Sequence, residues 1–560
     1  MMIWSKSSYV NVFQDSPMPW EFAEEVDDLV MAKNERESFQ IMLRSEDSFT
    51  IRSVTFADLV CGRERIAAAN ISYGFVEYVF SPNNTLGIEK EYLVRQAPAW
   101  FPDPISNDRS IAVPPRTTQP IWVTVYVPKD AVPGMYKSCA TVHTSHGDYA
   151  VDFGVEVCDV TIPDSDEAAL IYSHHQQMLA NFWMPKESDS VYHTFGYERW
   201  SGPWWEVIGD IAEQMRTHRH NSLFVNLPQL LLDGGSSLDE EGAYTFDWSK
   251  VDEYVGFFLD RHVIRWVNCM HLTSVEMAED YYYKVFILQR DAQGNMALGR
   301  EDCGSEAAEN WVRQLLPALR AHVEERGWTD FWEMHVGDEP RNDTQWKQYL
   351  HLYEQMRRYA PGMMVCDAVC SLDGAKCLAE YGVDIIVPLE NVYDDNRELF
   401  DRLRREQGSR LFIYNCCEPR GVWLNRFVDK PVWEMRTLGW LLYEWDVDCF
   451  YHWGYSFWNN WTQNEEITIA EEVCKGDHYT VYPDPHNNRI RSSIRYEANR
   501  DAAEDFELLT ILGRRDPQYA KELVARIAKS CSDYTRDISL MIRTRKELVR
   551  AAAGQDCRGR

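Results

Sequence analysis

At positions 334–340 the chain reads Met-His-Val-Gly-Asp-Glu-Pro, and two carboxylates, Asp338 and Glu339, stand side by side. Gly337 allows a sharp turn before them, and Pro340 disfavours helix at Glu339. Neighbouring carboxyls raise each other's pKa when both leave water, so one can hold a proton near neutral pH and serve as a general acid. The simpler role for such a pair is to cap a helix. Asn342 and Asp343 stand nearer the start of the amphipathic segment Trp346–Tyr359, however, and are better placed for that. Adjacent carboxylates do not suit the usual glycosidase arrangement, whose two carboxyls flank a sugar about 5–9.5 Å apart. They suit another arrangement. One carboxyl protonates a glycosidic oxygen, its neighbour holds the N–H of a 2-acetamido group, and that group's carbonyl oxygen attacks the anomeric carbon.

Such a pair needs a scaffold that holds it at the edge of a cavity. From Leu170 onward the chain alternates short apolar runs with amphipathic helices, and eight runs can be read: Leu170–Ser173, Leu223–Asn226, Ile264–Met270, Phe331–Val336, Met363–Asp367, Asp384–Pro388, Leu411–Asn415 and Cys449–Trp453. Four to seven continuous apolar residues are what a parallel strand buried on both faces requires. Val251, Tyr254, Val255, Phe258 and Leu259 form a helical stripe, and Val312, Leu315, Leu316, Leu319 and Val323 form another. The rhythm predicts a (β/α)8 TIM-type barrel, and the rival open sheet lacks its Gly-rich first turn.

Active sites of such barrels lie at the C-terminal strand ends, where the pair falls after the fourth strand. The same rule nominates His175, Asn226, His271, His335, Asp367, Glu390, Tyr414 and Asn415 as substrate-binding residues. Beyond the eighth strand, Trp453, Tyr455, Trp458 and Asn459 make an aromatic loop suited to stacking a sugar ring. His174, His175, His271 and His335 show no metal-ligand spacing, so neither metal nor cofactor is expected. No Walker loop or Gly-x-Ser-x-Gly elbow is present.

Residues 1–165 read as an antiparallel β-sandwich. Ser38–Arg44, Ile121–Val127 and Tyr149–Val157 are strand-like and separated by Pro/Gly turns. The barrel is expected over 166–515 and a C-terminal helical extension over 516–560, striped by Leu523, Ile527, Cys531, Tyr534 and Ile538.

The 560 residues are 45% hydrophobic and 26% charged, with 57 Lys and Arg against 88 Asp and Glu, a formal charge of −31. That balance, without any basic run, argues against nucleic acid or an anionic membrane as partner. No apolar stretch is long enough to span a bilayer. The first residues, MMIWSKSSYVNVF, lack the plan of a secretory signal, so the 14 scattered cysteines are expected as reduced thiols in the cytoplasm. Aromatic residues are 13% of the chain, which favours a glycan partner. Oligomeric state is not legible.

The stretch MHVGDEP resembles the strand-four motif of glycoside hydrolase family 123, the β-N-acetylgalactosaminidases, and is similar to the Asp-Glu motif of family 20 hexosaminidases. Asn34–Leu43, Pro102-Asp103-Pro104, Gln119–Val125 and Pro133-Gly134-Met135-Tyr136 resemble that family's β-sandwich domain. Arg436–Trp440, Tyr451–Tyr455 and Asn499–Leu508 resemble its C-terminal region of unknown function. The resemblance implies a retaining, substrate-assisted hydrolase of terminal β-linked N-acetylhexosamine, N-acetylgalactosamine foremost. Glu339 would be the acid/base, and Asp338 would orient the acetamido group. Two alternatives stay open: a glycosidase of sugars lacking that group, using Glu390 or Asp367 as a separate carboxylate, and a carbohydrate-binding protein without catalysis.

Overall fold

The computed structural model describes residues 1–17, 28–179, 190–277, 280–458 and 473–555. They group into two compact units: the described residues of Met1–Leu170, Pro419–Asp446 and Thr462–Arg560, and those of Ile171–Glu418 and Val447–Trp461.

The first unit is built on two β-sheets. One holds, in spatial order, Met2–Ser7, Glu35–Arg44, Gln119–Val127, Ile71–Ser81 and Ala99–Ser106. The other runs Leu29–Lys33, Gly147–Thr161, Gly134–Thr144, Phe49–Phe56 and Ile111–Val113. Alternate residues of these strands, such as Ile121, Val123 and Val125 on one sheet and Tyr136, Ala140 and Val142 on the other, meet in a shared core. The sandwich departs from a wholly antiparallel plan at one place, where Leu29–Lys33 pairs parallel to Gly147–Thr161.

Three C-terminal helices, Ile494–Arg515, Pro517–Ile527 and Ile538–Ala552, belong to this same unit. The three consecutive segments expected from sequence are thus drawn differently by contacts, with the last helices grouped beside the sandwich. The reason is a lattice of buried charge. Arg436 donates to Glu37, Asp501 and Asp505, while Arg545 meets Glu35, Glu37 and Asp505. Arg495 pairs with Asp103, and Arg500 with Glu497 and Asp501. The segments that resemble the family, around Asn34–Leu43, Asp103, Arg436–Trp440 and Asn499–Leu508, supply part of this lattice, and Arg495, Glu497 and Arg545 complete it.

The second unit is a nearly closed barrel of eight parallel strands: β1 Ile171–His174, β2 Ser222–Val225, β3 Trp266–His271, β4 Trp332–His335, β5 Met364–Val369, β6 Ile385–Pro388, β7 Arg410–Tyr414 and β8 Cys449–His452. Ladders connect them in the order β1-β8-β7-β6-β5-β4-β3-β2. Ile171, Trp266, Cys366, Ile385, Val387, Phe412 and Cys449 fill the interior. Between β1 and β2 side chains stand in for a ladder. Asn221 Oδ1 accepts from the Tyr172 amide at 2.9 Å, and Gln176 bridges the Phe224 amide at 2.8 Å and the Ser222 carbonyl at 2.9 Å. After β3 the chain inserts a three-stranded antiparallel sheet, Thr273–Met277, Tyr281–Arg290 and Met296–Asp302, that the sequence did not announce. No helix among the described residues is long and apolar enough to cross a membrane.

Candidate active site

β4 ends at His335, and the chain turns through Val336 and Gly337 to present Asp338 and Glu339 at the barrel mouth. Glu339 takes a positive φ of 41°, which the following proline, favouring extended backbone of negative φ, does not explain. A non-glycine residue in that region is strained and persists only where its surroundings fix it. Here the Tyr283 hydroxyl, from the inserted sheet, donates to the Asp338 carbonyl at 2.7 Å. Thr273 Oγ1 donates to the Val336 carbonyl at 2.9 Å, and Gln345 Oε1 accepts from the Arg341 amide at 3.0 Å. Gly337 packs so tightly that a Cβ would lie 3.0 Å from Thr273 Oγ1 and the Tyr283 ring. The helix Asp343–Tyr359 is capped by Asn342, whose side chain accepts from the Gln345 amide at 2.8 Å. The carboxylate pair is therefore not needed as a cap.

Both oxygens of Glu339 are engaged. Tyr414, at the end of β7, donates to Oε1, and Arg341 pairs with Oε2. Asp338 faces His271 from β3, with Oδ1 3.8 Å from Nε2. Loss of water and then the Glu339 charge push the Asp338 carboxyl up to about 7. Burial, with His335 and His175 adding repulsion, holds His271 well below its ordinary value, so its ring is neutral. Asp338 is thus partly protonated near neutrality.

Beneath the turn lies a buried polar network. Asp367, from β5, accepts from the amides of Val336 and Gly337 at 3.0 and 3.2 Å and from the Tyr349 hydroxyl at 2.7 Å. His335 sits between Asp367 and Glu333, 3.7 and 3.6 Å from their oxygens. Burial opposes a charge on His335, yet those two carboxylates outweigh it and push the ring up to about 9. Tyr451 and Asn268 both donate to Glu333 Oε1. His271, His335 and Asp367 each place a ligand atom within 4.8 Å of the others, as do Glu333, His335 and Cys366. Both sets depend on His335, which holds a proton between two carboxylates, and Asp367 is already saturated by three donors. A metal at the first set would have to displace the donors that Asp367 already accepts from.

The remaining expected binding residues have other surroundings. Asn226 caps the helix Leu227–Gly234, accepting from the Gln229 amide at 3.2 Å, because its strand end coincides with a helix start. Glu390 and Asn415 are buried and bond each other at 3.0 Å. His175 stacks on Phe224 with ring centroids 4.5 Å apart, and burial lowers it to about 3. Tyr455 packs against His220 and Trp458 against Phe195, both deeply buried. Trp453 is half-buried, edge-on to Phe457. Asn459 lies outside the described residues. The strand-end rule thus brings Tyr414 and His271 to the pair, with His335 and Asp367 beneath it. It missed Tyr283, Arg341, Tyr349, Asn268, Glu333 and Tyr451. The Tyr-Tyr-Tyr run at 281–283 and the long gap between β3 and β4 were the available signals.

The family profile "Glycoside hydrolase 123, catalytic domain" matches residues 183–512, and "Glycoside hydrolase 123 N-terminal domain" matches residues 11–144. None of the curated proteins compared matches in sequence. Among solved structures, a family 123 glycoside hydrolase from Clostridium perfringens, described in terms of glycolipid glycan hydrolysis, superposes with a TM-score of 0.72 at 14% identity. It covers 99% of this chain and 96% of its own. A β-D-glucuronidase from Dictyoglomus thermophilum gives a TM-score of 0.31 at 8% identity, covering 81% of this chain and 68% of its own. The type III pullulan hydrolase of Thermococcus kodakarensis gives 0.30 at 10% identity, covering 88% and 87%. The last two carry no weight. The catalytic-domain match spans more than half of the chain, which belongs to glycoside hydrolase family 123.

Proposed function

We propose that this glycoside hydrolase releases a terminal β-linked N-acetylhexosamine, N-acetylgalactosamine foremost, with retention of configuration through participation of the substrate's own 2-acetamido group. The observation that carries the reading is the adjacency of Asp338 and Glu339 on one strained turn at the barrel mouth. Glu339 protonates the glycosidic oxygen while the acetamido carbonyl oxygen attacks the anomeric carbon and the leaving group departs. Asp338 accepts the acetamido N–H and steadies the cyclic cation. Water then attacks the same carbon, giving its proton to Glu339. In the ligand-free site burial and the neighbouring Glu339 charge favour a proton on Asp338. A substrate N–H donated to Asp338 favours that group's ionised form and transfers the proton to Glu339. Asp367, the alternative separate carboxylate, has its oxygens taken by backbone amides and Tyr349.

The test compares aryl β-N-acetylgalactosaminide with aryl β-galactoside. Only the first should be cleaved, the first-formed sugar should be the β-anomer by NMR, and a sugar thiazoline should inhibit. Glu339→Gln should lower kcat at least ~100-fold. Asp338→Asn should cripple hydrolysis of acetamido substrates, and unimpaired turnover by that variant would sink the substrate-assisted mechanism. Glycolipid glycans are the first natural substrates to try, after the Clostridium relative.

A further inference from the structure

Arg341 stands two residues past Glu339, and its Nη2 pairs with Glu339 Oε2. The two side chains differ in position: that of Glu339 is 15% exposed and that of Arg341 57%, so the cation occupies the solvent side of the acid. The backbone here is fixed. The Arg341 amide donates to Gln345 Oε1 at 3.0 Å, and the Asn342 side chain donates to the Tyr281 carbonyl at 2.8 Å. Movement at this point is therefore left to the long Arg341 side chain. An acid must carry a proton before it can protonate a glycosidic oxygen, and Arg341 occupies one of the two Glu339 oxygens that could hold it. The leaving group exits past the acid that protonates it, which is the side where this guanidinium lies.

We infer that Arg341 recognises an oxyanion, carboxylate or sulfate, on the leaving-group portion of the substrate, and that this anion draws the guanidinium off Glu339. The inference rests on the reading of Glu339 as the acid. In the exchange one oxyanion replaces another on Arg341, and the O–H bond of Asp338 breaks as an O–H bond forms on Glu339. The Arg341 end of the pair is exposed and screened by water, so the guanidinium can trade one oxyanion partner for another. The flat, five-donor fork of arginine suits carboxylate and sulfate alike. The chain's net charge of −31 repels anions at long range, so an acidic leaving group needs a cation of this kind at the mouth.

The experiment measures kcat/KM for three aryl β-N-acetylgalactosaminides of matched leaving-group acidity: one neutral, one bearing a remote carboxylate and one a remote sulfate. The wild-type enzyme should prefer an anionic substrate about fivefold at low salt, the worth of one exposed ion pair. The preference should fade as ionic strength rises, disappear in Arg341→Gln and survive in reduced form in Arg341→Lys. The carboxylate and sulfate arms identify which oxyanion is read. Equal rates on all three by the wild type, or a preference that persists in Arg341→Gln, overturns the inference while leaving the role of Glu339 intact. Failure to cleave any of the three would overturn both.

Discussion

The phenol of Tyr414, at the end of β7, donates to Oε1 of Glu339, 75 residues earlier in the chain. Burial and the Glu339 charge keep the Tyr414 hydroxyl protonated well beyond the working pH range, so it stays a donor. It fixes the direction of a side chain whose backbone is already strained. Tyr414→Phe should lower kcat about 10- to 100-fold, the worth of a hydrogen bond to a charged group. KM should change little. Steady-state kinetics on the aryl acetamido glycoside checks this, and a rise in KM at constant kcat would instead make Tyr414 a substrate ligand.

The Asp338 carboxyl, ordinarily near 3.8, stands at about 7 in the fold. A carboxyl raised on folding favours the fold in its protonated form. That contribution is complete below pH ~4 and is lost as the pH climbs through about 7. Asp338→Asn cannot ionise, so its Tm relative to wild type should improve between pH 4 and 8. For the wild type, kcat/KM should decline above pH ~7, as Asp338 gives up its proton. A relative Tm that falls over the same interval contradicts the assignment.

Arg436 is the hub of the buried charge in the first unit, 2.7 Å from Asp505, 2.9 Å from Glu37 and 3.2 Å from Asp501. Removing it takes a buried cation from three carboxylates and leaves them only Arg545 and Arg500. Arg436→Ala should cost about 3–5 kcal/mol, visible as a large fall in the melting temperature of the first unit. Arg116, whose pairing with Glu46 leaves both side chains about three-quarters exposed, provides the contrast, and Arg116→Ala should leave the melt nearly unmoved.

The barrel was legible because parallel strands buried on both faces must be apolar along their whole length. Each of the eight runs overlaps a strand, and the offsets are small: Leu411–Asn415 became Arg410–Tyr414. The acidic pair was legible because its two members are neighbours in sequence. A polar residue at a strand end has several fates, however, and sequence does not choose among them. Tyr414 reached the acid, Asn226 went to a helix cap, and Glu390 and Asn415 found each other. Tyr283 stayed hidden because it arrives on an inserted sheet whose docking depends on side-chain contacts far apart in the chain. The grouping of the C-terminal helices was hidden for another reason. Helix Ile494–Arg515 buries Arg500, Asp501 and Asp505, and a reading that counts only apolar residues takes those for a solvated face.

Asp367 offers the sharpest choice between holding the site and touching the sugar. It is fully buried, with one oxygen on the Val336 and Gly337 amides and the other on Tyr349, directly beneath the turn that carries the pair. A residue so placed acts on the reaction through the backbone of the turn. Its loss should appear in kcat, because the carboxyls of Asp338 and Glu339 would no longer meet the transition state correctly. Asp367→Ala should lower kcat by ~100-fold with KM nearly constant. Asp367→Asn keeps one oxygen for the amides and should restore much of that loss. Tyr349→Phe removes a single donor and should cost only a few-fold. A substrate ligand would behave in the opposite way, with KM rising and kcat preserved in both Asp367 variants, and that pattern would return Asp367 to the sugar-binding set.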